Sequence, residues 1–152
     1  MELARPARAE DRQACTRLLS QALTSAESMR GGAALVGDAT TVGLLQRWTG
    51  PGQAARLLVG EFEGVVVGIL AVSAAPGPGG STNGLIECCY VETAARGVGV
   101  GTALMEAAVA WCTEQGCAGV DALALPGDRS TKQRLEGAGF AARLLTLSRR
   151  LD

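Results

Sequence analysis

Histidine is absent from the 152 residues. That removes Ser-His-Asp and Cys-His catalysis, the common zinc ligand sets and imidazole as a general base. Lysine is almost absent: of the 14 basic residues only Lys132 is a lysine, so lysine chemistry has one place to occur. A general base must therefore be Asp, Glu, Cys, Tyr or Lys132. Neither sign of charge is in excess, with 14 basic and 15 acidic residues and a net charge of −1, so no nucleic-acid footprint is expected. Long apolar runs are missing as well. The longest, residues 65–75, is broken by Gly68 and Ser73 and falls short of the ~18 residues that a membrane span needs. No membrane partner is expected. The opening MELARPARAEDR carries charges where a signal peptide needs an apolar stretch. The five cysteines (Cys15, Cys88, Cys89, Cys112 and Cys117) form no CxxC. Free, mostly buried thiols in the cytoplasm, with no metal site, are the expectation.

What is present is a globular composition, 47% hydrophobic and 19% charged. At roughly 150 residues per domain, residues 1–152 read as one domain. Such a domain buries on the order of 70% of its unfolded surface and needs no staple.

The pattern along the chain is mixed. Residues 2–5 read as a short strand. Cys15, Leu18, Leu19, Ala22 and Leu23 recur at helical spacing, which predicts a helix over 9–23. Leu44, Leu45 and Trp48 predict a second short helix. Residues 56–61 and 65–74 are β-rich runs joined by Glu63-Gly64, a hairpin signal. A flexible Gly-rich loop over 75–84 and a strand over 85–91 follow. Residues 99–115 return to helical spacing, with Gly116 as its C-terminal cap. Residues 119–125 read as a strand, and Asp128 can cap a helix running to about Glu136. The tail, 140–151, alternates with Leu145, Leu147 and Leu151 on one face and reads as a strand. A strand-helix-strand unit over 85–125 implies one parallel pair, and the hairpins imply antiparallel ones. The fold class is α/β or α+β with a mixed central sheet.

The informative segment joins a strand to a helix: Val91-Glu92-Thr93-Ala94-Ala95-Arg96-Gly97-Val98-Gly99-Val100-Gly101-Thr102. Glycines at alternate positions let backbone N–H groups turn toward one point. The helix N-terminus adds about half a positive charge there. Together they form a cradle for pyrophosphate, with Arg96 at its rim. A P-loop is excluded because no Lys follows the glycines. A dinucleotide fold is disfavoured, since the spacing is GxGxG and lies two-thirds along the chain.

Arg96-x-x-Gly99-x-Gly101 after a strand ending at Val91 resembles the acyl-CoA motif (R/Q)xxGx(G/A) of the GNAT superfamily. The resemblance extends to the Glu-Gly hairpin, the strand LIECCYV, the helix GTALMEAAVAWCTEQG and the closing GDRSTKQRLEGAGF. It implies a mostly antiparallel sheet with one splayed parallel pair, flanked by about four helices. It also implies an N-acetyltransferase that moves acetyl from acetyl-CoA to a primary amine of a small molecule or peptide. Residues 24–50, the 75–84 loop and the C-terminal strands would shape the acceptor site. A homodimer is compatible with the family. By the same resemblance the backbone of Gly97, Val98, Gly99, Val100, Gly101 and Thr102 holds the pyrophosphate, with Arg96 beside it. The backbone at Tyr90 and Val91 pairs with pantetheine, and Asp128 and Lys132 sit where the second helix meets the cosubstrate. Trp48 either lines the acceptor site or packs.

Acylating an amine needs a base, because an ordinary amine is mostly ammonium at pH 7. Glu87 is the candidate. It precedes Val91 by four residues, which puts both on one face of a regular strand. It is also the only charge in that strand, and a lone buried carboxylate holds its proton more tightly than usual. Several family members carry a Glu here. An ion pair or strand-edge role is the alternative. The departure is at the acid: many members have a Tyr where this chain has Leu135, and its one tyrosine, Tyr90, should project opposite Glu87. Cys88 and Cys89 have no adjacent cation in sequence to activate them and read as buried hydrophobes. Three readings stay open: a transferase supported by Glu87, an acyl-CoA-holding module without turnover supported by Leu135, and an unrelated nucleotide-binding α/β protein.

Overall fold

A computed structural model describes residues 2–52 and 54–151. Strand β1 (Glu2–Pro6) leads through a 3-10 turn into α1 (Arg12–Glu27), then α2 (Gly32–Val36) and α3 (Thr41–Thr49). Three strands follow, β2 (Ala55–Phe62), β3 (Val65–Pro76) and β4 (Thr82–Val91), and then α4 (Val100–Glu114), β5 (Gly119–Ala122) and α5 (Arg129–Gly137). The sheet order is β1-β2-β3-β4-β5; the first three pairings are antiparallel and β4–β5 is parallel. This is the mixed, mostly antiparallel architecture that the pattern predicts. Five helices flank it rather than about four, and α2 is the one that no periodicity announced.

Strands β2 and β3 are buried continuously because both sheet faces are covered. Alternation then sorts their side chains. Leu58, Leu70 and Val72 pack with Leu104, Met105 and Trp111 on the α4 face. Leu57, Val59, Ile69 and Ala71 pack with Leu18, Leu19 and Trp48 on the α1–α3 face. Each such side chain contributes about 1.5–3 kcal/mol. Gly60 and Gly68 face each other across β2 and β3. A Cβ at Gly60 would lie 2.5 Å from Val100 Cγ1, and one at Gly68 would lie 3.1 Å from Leu104 Cδ1. Their bare backbone lets the first turn of α4 settle onto the sheet, and that fixes where this helix begins.

The entry to α1 is held by a buried carboxylate. Asp11 is 6% exposed; it accepts from Arg5 Nη1 at 2.7 Å and from the Arg8 amide at 2.7 Å. The Arg5 guanidinium holds this carboxyl below its usual range, against the opposing effect of burial.

Three expectations need correction. The 75–84 segment is not a long loop: β3 runs to Pro76 and β4 starts at Thr82, around a tight turn in which Gly79 and Gly80 have positive φ. The strand expected over 119–125 stops at Ala122. The tail over 140–151 is not a strand. Leu145, Leu147 and Leu151 are 80%, 91% and 81% exposed; its tie to the sheet is the Arg143–Asp121 ion pair at 2.6 Å. Alternation marks a segment able to form a strand, but a strand exists only where its backbone finds a neighbouring edge. Among the described residues no helix is long and apolar enough to cross a membrane.

Candidate active site

The site begins where a ladder stops. β4 pairs with β5 from Asn83↔Gly119 through Ile86↔Ala122, and no pairing with β5 continues beyond Ile86. Residues 87–91 keep β3 as their neighbour on one side only. Between the splayed ends lies a cavity of about 300 Å³. It reaches Met105, Arg134 and Leu135 on the α4–α5 face and Leu44, Arg47 and Trp48 on the α1–α3 face.

The ladder between β3 and β4 slips one residue between Ala71 and Val72, where the partners jump from Cys88 to Ile86. Glu87 is the extra residue of a β-bulge, and a bulge breaks the period of two. Ile86, Cys89 and Val91 pack on the α4 face, while Cys88 and Tyr90 pack on the α1–α3 face. Glu87 joins the second group, through Arg47 and Trp48 of α3. Glu87 therefore lies opposite Val91 and on the same face as Tyr90, the reverse of what regular alternation predicts for both.

Nor is Glu87 a lone carboxylate. Arg47 pairs with its Oε1, and Trp48 Nε1 donates to its Oε2 at 3.3 Å. Its side chain is 16% exposed and that of Arg47 is 55% exposed. The Arg47 guanidinium lies 5.9 Å from the Trp48 ring centroid, which orients it by cation–π attraction. Tyr90 donates its hydroxyl proton to Gln21 Oε1 at 3.2 Å. Cys88 and Cys89 line the cavity but are poorly suited as nucleophiles. Burial, then the neighbouring Cys89 and Glu87, push the Cys88 thiol up to about 12. Burial also raises Cys89, against the pull of Arg134.

The glycine-rich turn follows β4. Val98 and Val100 sink into the α4-face core. The residues alternating with them, Gly97 and Gly99, are exposed with φ of +86° and +95°. Only glycine adopts such a backbone at little cost. Gly99 is the N-cap of α4, so the first N–H groups of the helix, at Val100, Gly101 and Thr102, lack intrahelical acceptors. Arg96 folds back onto β4: its Nε donates to the Val91 carbonyl at 3.0 Å, and its guanidinium carbon stands 5.6 Å from the Tyr90 ring centroid.

Across the cavity, α5 starts at Asp128 as predicted. Its carboxylate accepts from the Thr131 amide at 3.1 Å and the Thr131 hydroxyl at 2.7 Å, so Asp128 organises the helix. Lys132 is exposed. Leu135 is buried in the α4-face core. Arg134, a residue that sequence reasoning passed over, lies across the α4 N-terminus. A Cβ at Gly101 would stand 2.5 Å from its Nε, and its Nη1 donates to Cys89 Sγ at 3.7 Å. No carboxylate pairs with it among the described residues. A half-buried cation set against the positive end of a helix makes this corner receptive to an anion.

The chain matches the Acetyltransferase (GNAT) family over residues 36–135, about two-thirds of its length. It belongs to the GNAT acetyltransferase family.

Among curated proteins none matches the chain. Solved structures share its fold at low identity. The ribosomal-protein-alanine N-acetyltransferase of Brucella melitensis superposes with a TM-score of 0.72 at 18% identity, covering 100% of both chains. The glucosamine-6-phosphate N-acetyltransferase of Arabidopsis thaliana gives 0.71 at 19%, covering 100% of this chain and 99% of the other. AAC(6')-Iy, solved with the bisubstrate analog CoA-S-monomethyl-acetylneamine, gives 0.76 at 16% and covers 99% of each chain. This GNAT chain carries two further charged residues at its cavity that no motif announced, Arg47 and Arg134. Arg47 left a faint signal: it is the only charge in α3, as Glu87 is the only charge in β4.

Proposed function

We propose that the chain transfers the acetyl group of acetyl-CoA to a primary amine of a small molecule or peptide, by direct transfer in a ternary complex. The observation that carries this reading is the opened β4–β5 pair, whose cavity runs from Arg134, beside the α4 N-terminus on one face of the sheet, to a fixed carboxylate on the other. The residues suit the donor. The backbone from Val98 to Thr102, with the free N–H groups at Val100, Gly101 and Thr102, receives its diphosphate, with positive charge from Arg134 and Arg96. Lys132, exposed on α5, is available to a further phosphate. Tyr90 and Val91 lie on an edge that no strand covers and that the pantetheine amides can approach much as an added strand would, in competition with Arg96 Nε at the Val91 carbonyl. Asp128 supports this half by capping α5.

Acetyl-CoA supplies an activated thioester. The chain's own residues supply position and a proton acceptor. Arg47 and Trp48 occupy two of the roughly four lone-pair sites of Glu87 and leave the others for water or the amine. The amine lone pair attacks the carbonyl carbon, the C–S bond breaks, the amine proton passes to Glu87 through water, and the departing sulfur takes a proton from solvent. Leu135 has no proton to offer, so the sulfur is not protonated from that position. Five free thiols support a reducing, cytoplasmic setting.

Titration of the protein with acetyl-CoA, followed by a thiol-release assay over an amine panel, tests the reading. Micromolar binding and turnover of an amine are expected. Tight binding with no turnover would favour the second reading, an acyl-CoA-holding module, for which Leu135 in place of a phenol is the specific observation.

A further inference from the structure

The acceptor half of the cavity has its own chemistry. It is the half on the α1–α3 face, away from the cradle, and this inference rests on the donor placement just proposed. Its wall comes from three helices and the turn between the first two, and is apolar: Leu19, Leu23, Met29, Val36, Leu44 and Trp48. The opposite side is formed by the end of β5 and the segment after it, where Ala122, Leu123, Ala124 and Leu125 also line the cavity. A Cβ at Gly31 would lie 3.8 Å from Leu125 Cδ2, so the turn between α1 and α2 approaches this segment with room for no more than a methyl group between them. Within this half the charged side chains are Glu87 and its partner Arg47, together at one point, and Arg96 at the far end, over the Tyr90 ring; the one carboxylate among them is Glu87.

Such a wall discriminates. Sugar and aminocyclitol acceptors carry several hydroxyls, each of which must find a partner when water is removed. Here the side-chain polar groups on the helical wall are few, with Ser25 and Arg47 among them. A hydrocarbon body gains from the same surface, and its amine reaches the one carboxylate. The volume of about 300 Å³ sits at the low end of ligand cavities, roughly 300–1,000 Å³, and must also admit the thioester end of the donor. We infer that the acceptor is a small apolar primary amine, an alkylamine or arylalkylamine, bound with its hydrocarbon along α1 and α3 and its nitrogen at Glu87.

The test is a comparison of kcat/KM for thiol release from acetyl-CoA with hexylamine and phenethylamine against glucosamine-6-phosphate, neamine and an alanine-terminated peptide. The apolar amines are expected to lead by roughly 100-fold or more, the scale at which a pocket separates a fitting group from one whose polar atoms go unpaired. Leu23→Glu should raise KM for phenethylamine about tenfold while acetyl-CoA affinity stays unchanged, and Leu23→Met should retain the parent KM. A sugar amine or the peptide as best substrate overturns the inference, and so does tight acetyl-CoA binding with no turnover of either apolar amine; the donor reading survives both results. Failure to bind acetyl-CoA at all would remove the donor reading and this inference with it.

Discussion

The two halves of β4 share one strand and have different duties. Residues 83–86 are paired on both sides, with β3 and with β5. Residues 87–91 are bonded to β3 alone. In the first half a side chain counts by how it packs. At Gly84 there is no room for one, since a Cβ would sit 2.5 Å from Cys112 Sγ. In the second half the backbone on the β5 side has no strand partner, and the bulge at Glu87 turns a carboxylate toward α3. The ladder makes a sheet where it continues and an open slot where it ends. The change between the two takes one residue.

Substitutions on either side of that boundary should separate activity from stability. The largest effect is expected at Glu87. Glu87→Gln should lower kcat/KM by about 10²–10⁴-fold, the usual contribution of a positioned base. Acetyl-CoA affinity and Tm should stay at the parent values. Normal turnover of the variant on its best amine would make Glu87 a structural partner of Arg47. In the paired half, Gly84→Val should do the opposite. Overpacking against Cys112 is expected to cost about 1–3 kcal/mol, seen as a lower Tm by thermal denaturation, with kcat/KM retained in the folded fraction. Beyond the open end, Gly99→Val forces a β-branched residue into φ near +95°. Its acetyl-CoA affinity should fall about tenfold, some 1.4 kcal/mol, by calorimetric titration. Unchanged affinity in a folded variant would rule this cradle out. The smallest effect is expected from a Cys88→Ala, Cys89→Ala double variant, which should keep turnover within about twofold, since neither thiol is activated. A radiolabelled acyl-protein trapped in the parent and lost in the variant would overturn direct transfer.

Much of this was legible along the chain, for local reasons. Glu63-Gly64 announced its hairpin because both residues take positive φ, +51° and +79°, which a two-residue turn of the right twist requires. Asp128 announced the start of α5 because a cap is a contact made within three residues. The alternate glycines at 97, 99 and 101 announced a turn of bare backbone; that Val98 and Val100 pack into the core is what the structure adds. Signals that depend on distant partners were weaker or misleading. The alternating tail has strand character, yet without a paired edge it forms no strand. Tyr90 and Val91 exchanged faces relative to Glu87 because one slipped register in β3–β4 inverts every inference made by counting residues.

The sequence by itself therefore determined the order of elements from β1 to α5 apart from α2, the Glu63-Gly64 hairpin, the cap at Asp128, the glycine turn, and the short list of residues able to do acid–base work in a chain without histidine. These follow from steric preference and from contacts a few residues long. Only the tertiary structure decided which face Glu87 serves, that Arg47 and Trp48 hold it, that Arg134 lies over Gly101, and where β4 parts from β5. Each of those is a meeting of segments 33 to 45 residues apart, set by how two helical layers pack on opposite faces of one sheet, and no local pattern encodes it.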